Sequence, residues 1–288
     1  MNGYTLMHEH ITIDLSGVKK DTDCQLDCYA ETVAEFKKLY EYGVRRIVDV
    51  TNDGMGRNPE YVTNVEKETG IQIVHSTGFY KEPFLPDRVY TQSVQELADW
   101  MVGEIRNGID GGVRPGMIGE IGTSKNTMTE MEKKVFDASV IAAKETGLPI
   151  YTHTTLGTYA PEQAAYFKAT GLPMNRIVLG HLDLCGDLDY IRRVLDTGIC
   201  IGFDTVGKNN YFPDAKRVEF LLALEAEGRL DQIVLSEDLT RKSHLKYKGG
   251  IGYGYLFETF LPMVKEAGLK QESLDKMLIH NPARILGA

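Results

Sequence analysis

Six residues carry the chemistry this chain offers: His8, His10, Glu120, His153, His181 and Asp238. Imidazole nitrogens and carboxylate oxygens are the donors that hold catalytic zinc and similar divalent ions. His8 and His10 stand two residues apart, so on a β-strand both rings leave one face, as chelation of a single ion requires, and Glu9 turns the other way. Taken singly, each has an ordinary explanation, since a lone histidine is most often a hydrogen-bonded core residue and an acid at a strand end is often a helix cap. The set resists that explanation: four of the seven histidines and two acids fall at predicted C-terminal ends of strands.

The elements that must position them recur in a regular order. Short β-branched or apolar segments lie at 4–10, 44–50, 71–76, 116–121, 148–153, 176–181, 199–204 and 233–238. Between them, Ala30–Gly43, Val94–Gly108, Met131–Gly147, Pro161–Gly171 and Asp214–Gly228 carry apolar residues at helical spacing and stop at glycine. Eight alternations predict an α/β fold, a single (β/α)8 TIM barrel spanning 1–288 as one domain, with the donors gathered at the mouth where barrel active sites are built. The rival, an open doubly wound sheet, would place a Gly-rich nucleotide turn after an early strand, and Asp14-Leu15-Ser16-Gly17 lacks that pattern.

Four imidazoles and two carboxylates exceed the three protein ligands usual for one catalytic zinc, and a glutamate can bridge two ions through its two oxygens. The expected cofactor is therefore two divalent metal ions per chain, zinc by donor type. His8, His10 and Asp238 would hold one, His153 and His181 the other, with Glu120 between. Water shared by such ions ionises near pH 7, and Asp238 is the expected catalytic proton acceptor.

The segments TLMHEH, GEIG, THT, GHLD and SED, read in order to the closing Asn281-Pro282-Ala283-Arg284, resemble the phosphotriesterase-like branch of the amidohydrolase superfamily, most nearly the bacterial homology-protein subgroup. The resemblance implies the same partition of ligands, with His8, His10 and Asp238 on the more buried ion and His153 and His181 on the more exposed one. It also implies hydrolase activity, and relatives include hydrolases of lactones and of phosphorylated sugar lactones. Many family members bridge the metals with a carboxylated lysine, where this chain and the subgroup have Glu120. Both bridges carry one negative charge, so the metal chemistry should survive, whereas transfer of paraoxonase activity from lysine-bearing members does not follow.

The loops after the seventh and eighth strands suggest the substrate. Lys208, Arg241, Lys242 and Lys246 are candidates for an anion site, with Arg241 first because a guanidinium can grip two phosphate oxygens. His244 is the expected substrate contact, and Tyr80, Phe203, Tyr211 and Tyr253 the expected walls. His75 reads as structural. His280 receives no chemistry, because Asn281-Pro282 reads as a helix cap followed by proline at the first helical position.

Composition narrows the classes. A net charge of −9 disfavours nucleic acid and anionic membrane as partners, and no apolar run approaches a membrane span. Four sparse cysteines read as incidental thiols, and the N-terminus lacks an export pattern, so a cytoplasmic location is expected. The expected partner is a small-molecule substrate, anionic if the basic loops bind it, and homo-oligomer formation stays open. The leading expectation is hydrolysis of a small ester-like bond, a lactone or phosphorylated sugar lactone. Phosphoric ester hydrolysis comes second and amide or deaminase chemistry third. The rival from another class is a non-catalytic, metal-stabilised metabolite-binding protein.

Overall fold

A computed structural model describes residues 3–287. Its barrel strands are β1 (Tyr4–Glu9), β2 (Val44–Asp49), β3 (Gln72–Val74, resumed at Ser76–Thr77), β4 (Met117–Thr123), β5 (Ile150–Thr154), β6 (Ile177–Gly180), β7 (Cys200–Phe203) and β8 (Ile233–Leu235). Neighbours pair in parallel from β1 to β3 and from the second piece of β3 to β8. His75 interrupts β3 where the two runs of ladder meet. The seam between β8 and β1 is closed largely by side chains: the His8 backbone N–H donates to Ser236 Oγ at 2.9 Å, and Glu9 accepts from the Glu237 N–H at 2.8 Å. The chain is a (β/α)8 TIM barrel.

One apolar residue per strand fills the interior: Met7, Val48, Met117, Tyr151, Val178, Cys200 and Val234 are all buried, with Val74 of β3 packed against them and Ile285 closing the bottom. Outside lie the helices α1 (Tyr29–Glu41), α2 (Pro59–Thr69), α3 (Val94–Asn107), α4 (Glu130–Thr146), α5 (Ala160–Thr170), α6 (Leu188–Leu195) and α7 (Asp214–Ala226), followed by a helical run within 256–286. Local chemistry sets their ends. Ser93 with Glu96 and Thr129 with Glu132 form reciprocal capping boxes at α3 and α4, each satisfying two otherwise orphaned N–H groups. The helix α3 buries Leu97, Ala98, Met101 and Val102, a stripe at helical spacing that faces the sheet. No helix among the described residues is long and apolar enough to cross a membrane, and all four cysteines are free.

The structure departs from expectation in two places that matter. The strands β1, β6 and β8 stop at Glu9, Gly180 and Leu235. His10, His181 and Asp238 therefore lie just beyond them, where the chain has left the ladder. Asn281 is not a cap either: it sits in continuous helical backbone, and its amide donates to the carbonyls of Leu230 and Ile233 at 2.8 and 2.7 Å, tying the last helix to the start of β8.

Candidate active site

Each of the six predicted donors reaches one buried cluster at the C-terminal mouth. His181 and Asp238 arrive in left-handed backbone, at φ 62° and 53°, a conformation costing about 1–3 kcal/mol in a non-glycine residue and held only by surroundings that over-determine it. Gly119 explains how Glu120 gets in: a Cβ there would stand 2.1 Å from the Tyr151 carbonyl, so only glycine lets β4 press against β5 where its register shifts.

Glu120 lies at the centre. Its Oε1 is 3.3 Å from His10 Nε2, while its Oε2 is 3.2 Å from His153 Nδ1, 3.6 Å from His181 Nε2 and 3.8 Å from His8 Nε2. Asp238 Oδ1 is 3.4 Å from His8 Nε2 and 3.3 Å from His10 Nε2. Donors held at zinc-ligand distances around a tetrahedral ion stand about 3.3–3.6 Å apart, so this spacing suits two ions that share Glu120. His8 Nδ1 and Nε2 and His10 Nε2 are buried without a hydrogen-bond partner. Leaving such atoms unsatisfied costs about 1–3 kcal/mol each, a penalty that metal ligation removes at the two Nε2 atoms. The residues present therefore fit a binuclear centre.

The electrostatics favour ligation. Burial alone would raise the Glu120 carboxyl, but the four imidazoles hold it well below the usual carboxylate range. Asp238 is likewise held well below its ordinary value, against burial, by Lys208, His10 and His8. Burial and the neighbouring His181 push His153 down to about 4, which leaves it neutral and able to bind metal at pH 7. Burial works against a charged His10, yet Asp238 and Glu120 raise it to about 9 in the metal-free protein.

A layer behind these donors fixes their rings. Asp204, fully buried after β7, accepts from the His181 backbone N–H and faces His181 Nδ1, both at 2.8 Å through Oδ1. Its Oδ2 accepts from Tyr151 OH at 2.7 Å and lies 3.6 Å from His8 Nδ1. Thr51 Oγ1 meets His10 Nδ1 at 2.8 Å, turning Nε2 toward Glu120 and Asp238. Sequence reasoning missed Asp204, Thr51 and Tyr151. Asp204 carried a signal, as an acid ending a strand segment, but the donor set was already full without it.

Above the cluster opens a cavity of about 300 Å³ lined by His10, Tyr80, Glu120, His153, His181 and Asp238 at its floor and by residues of the surrounding loops. Of the predicted substrate contacts, Lys208, Tyr211, Arg241 and His244 line it. Lys208 donates to Asp238 Oδ2, and Arg241 pairs with Asp21 at 2.7 Å and faces Asp23 at 3.5 Å. His244 Nδ1 accepts the Thr240 N–H at 3.2 Å, and burial with Lys208 and Arg241 nearby lowers its pKa to about 4. Three expected contacts fall outside the lining, among them Lys246, which is paired with Glu258. Lys242 is paired with Asp27 at 2.7 Å. Tyr253 is fully buried against Phe36, with its hydroxyl donating to the His10 carbonyl, so it supports a donor's backbone from below. Phe203 is also a core residue, whereas Tyr80 is a wall, its hydroxyl 3.2 Å from His153 Nδ1. His75 is buried away from the cavity.

This constellation can be compared with known proteins. The model of the phosphotriesterase family matches residues 1–286. The chain belongs to the phosphotriesterase family. Its likeness to relatives runs end to end: it is 48% identical to the phosphotriesterase homology protein of Escherichia coli strain K12, covering 98% of this chain and 97% of that one. The crystal structure of that protein, complexed with phosphate in its active site, superposes with a TM-score of 0.97, covering 99% and 98% of the two chains at 47% identity. A lactonase from Listeria monocytogenes superposes at 0.93 with 30% identity over 99% and 93% of the chains. An aryldialkylphosphatase of Saccharolobus solfataricus is 31% identical over 98% and 94%. The chain is thus a phosphotriesterase-family hydrolase, and its family names more than one kind of ester substrate.

Proposed function

We propose that this protein hydrolyses a small ester-like bond, foremost that of a lactone, with phosphorylated sugar lactones as a candidate subclass, using two zinc ions. The observation that carries the reading is the convergence of His8, His10, His153 and His181 on the two oxygens of Glu120, with Asp238 Oδ1 beside His8 and His10, at ligand spacing on the floor of a substrate-sized cavity. When bound, the two ions would supply a Lewis acid for the carbonyl and lower the pKa of the attacking water. The side chains do the rest. Asp204 holds the His181 ring and Thr51 the His10 ring in ligand orientation. Asp238 Oδ2, turned from the imidazoles toward Lys208, is kept ionised by that ammonium until it accepts the proton, which it then passes to the leaving oxygen. Tyr80 and the neutral His244 line the cavity and offer hydrogen-bond donors to a substrate there.

The lactonase among the structural neighbours and the phosphate in the active site of the Escherichia coli protein support the substrate class. Phosphoric ester hydrolysis is the second reading, favoured by the aryldialkylphosphatase relative. Zinc-loaded protein should contain about two metals per chain by elemental analysis, and should open lactones faster than it cleaves phosphotriesters or amides in a matched panel, with activity lost to a chelator. Turnover of phosphotriesters alone would select the second reading. Tight metabolite binding with no turnover across the panel would mark a non-catalytic binding protein.

A further inference from the structure

Four cations line the cavity: Lys19, Lys81, Lys208 and Arg241. Lys208 is committed to Asp238, and Arg241 to Asp21 and Asp23. Among the described residues Lys19 and Lys81 make no ion pair, so the cavity's uncompensated positive charge lies on the loops after β1 and β3.

Lys81 is built into that wall. An added Cβ at Gly122 of β4 would stand 3.1 Å from Lys81 Cβ, Lys81 Cδ and His153 Cβ. The lysine stem therefore crosses the strand that presents Glu120, beside a candidate metal ligand, and the glycine is what lets it pass. Its Nζ donates to the Glu82 carbonyl at 3.0 Å, leaving two N–H groups free. Phe84 holds the second cation close: Lys81 Nζ and Lys19 Nζ each stand 5.9 Å from the centroid of that one ring. Cation–π attraction partly stabilises both charges, but no anion of the protein completes them. Burial pulls Lys81 below the ordinary lysine value, with Lys19 acting in the same direction and the carboxylates of Glu132 and Glu120 opposing it. An anion in the cavity within reach of Lys81 would offset both its burial and the repulsion from Lys19.

We propose that Lys81, assisted by Lys19 across the Phe84 ring, is the specificity-determining residue that holds a phosphate group carried by the substrate. The assignment rests on the cavity being the substrate site of the proposed hydrolase. It places the phosphate beside the fourth strand. Phe84, Leu15, Ile13 and Met55 supply apolar surface between the cations and the metal floor.

The test is calorimetric titration of the metal-loaded protein with D-ribose 5-phosphate and with D-ribose. The wild type should prefer the phosphorylated sugar, and Lys81→Met should lose about tenfold to a hundredfold of its affinity for it, the loss of one charge-assisted hydrogen bond. Lys81→Arg should restore most of that affinity, which a purely structural lysine would not require. Lys19→Met should cost about threefold, because its exposed ammonium is screened. A Lys81→Met protein that binds D-ribose 5-phosphate within twofold of wild type would overturn the assignment, as would a larger loss in Arg241→Met. Lys81→Gln provides the same reading if the methionine variant fails to fold. Phosphate-dependent binding through Lys81 without any lactone opening would refute the proposed reaction and leave this site standing. Lactone opening with no dependence on Lys81 would do the reverse.

Discussion

Asp204→Asn isolates the charge behind the metal centre. The carboxylate is fully buried, and its Oδ1 faces both the backbone N–H and Nδ1 of His181 at 2.8 Å, while Oδ2 accepts from Tyr151 at 2.7 Å. Burial would raise its pKa, but His181 and His8 bring it down to about 2, so it is an anion throughout the working range. An asparagine of the same shape can keep its carbonyl on His181 and turn its amide to Tyr151, whose hydroxyl then accepts. The tautomer of His181 survives and the charge does not. Second-layer carboxylates of this kind change metal affinity by about tenfold to a hundredfold, which is about 1.4–2.7 kcal/mol. The loss should be unequal. His181 Nδ1 is 2.8 Å from the carboxylate and His8 Nδ1 is 3.6 Å away, so the ion held with His153 should weaken more than the one held with His10. Competition against a zinc chelator of known affinity, resolved into two binding steps, reads both. Equal loss at the two steps, or none at either, would refute the claim that Asp204 acts through the His181 ring.

Glu120→Gln keeps the shape but not the charge of the central carboxylate, so metal content should fall at both sites together, by elemental analysis; full occupancy would show that Glu120 is not a bridge. Metal loading at pH 7 should release protons, because His10 sits near 9 and His181 well above its ordinary value without metal; titrations in buffers of differing ionisation enthalpy that show no release would contradict this. In the metal-free protein the raised His10 contributes stability that is fully present below about 6.5, its unfolded value, and is lost as pH rises through about 9; urea midpoints should therefore drop across that window unless the ring is replaced.

Much of the fold and of the donor set was legible because both are written in short range. Strand periodicity and glycine stops are local, and eight strand-helix alternations leave few closed arrangements. The pair His8 and His10 has the spacing of one strand face, which becomes a signal once the other donors follow in order. The limits were equally physical. His10, His181 and Asp238 lie past the ends of their strands, which alternation of residue types does not locate, and left-handed φ at His181 and Asp238 is only weakly signalled by residue type. Asp204, Thr51 and Tyr151 are ordinary residues whose role appears only once strands far apart in the chain become neighbours.

The basic loops show why charge is harder to read than ligand type. A donor keeps its chemistry wherever it lies, whereas a cation is available to a substrate only if the protein has not already neutralised it. Arg241 looks free beside Lys242, but its partner Asp21 is 220 residues away in the chain, and Lys242 is held by Asp27 from the same distant loop. Lys81 shows the opposite. Its neighbour Glu82 does not neutralise it, because the Glu82 carboxylate accepts from Tyr90 OH at 3.2 Å and only its carbonyl meets the ammonium. The cations that remain uncompensated at the mouth are therefore those whose sequence neighbours suggested the least, and a basic cluster marks an anion site only after its tertiary partners have been subtracted.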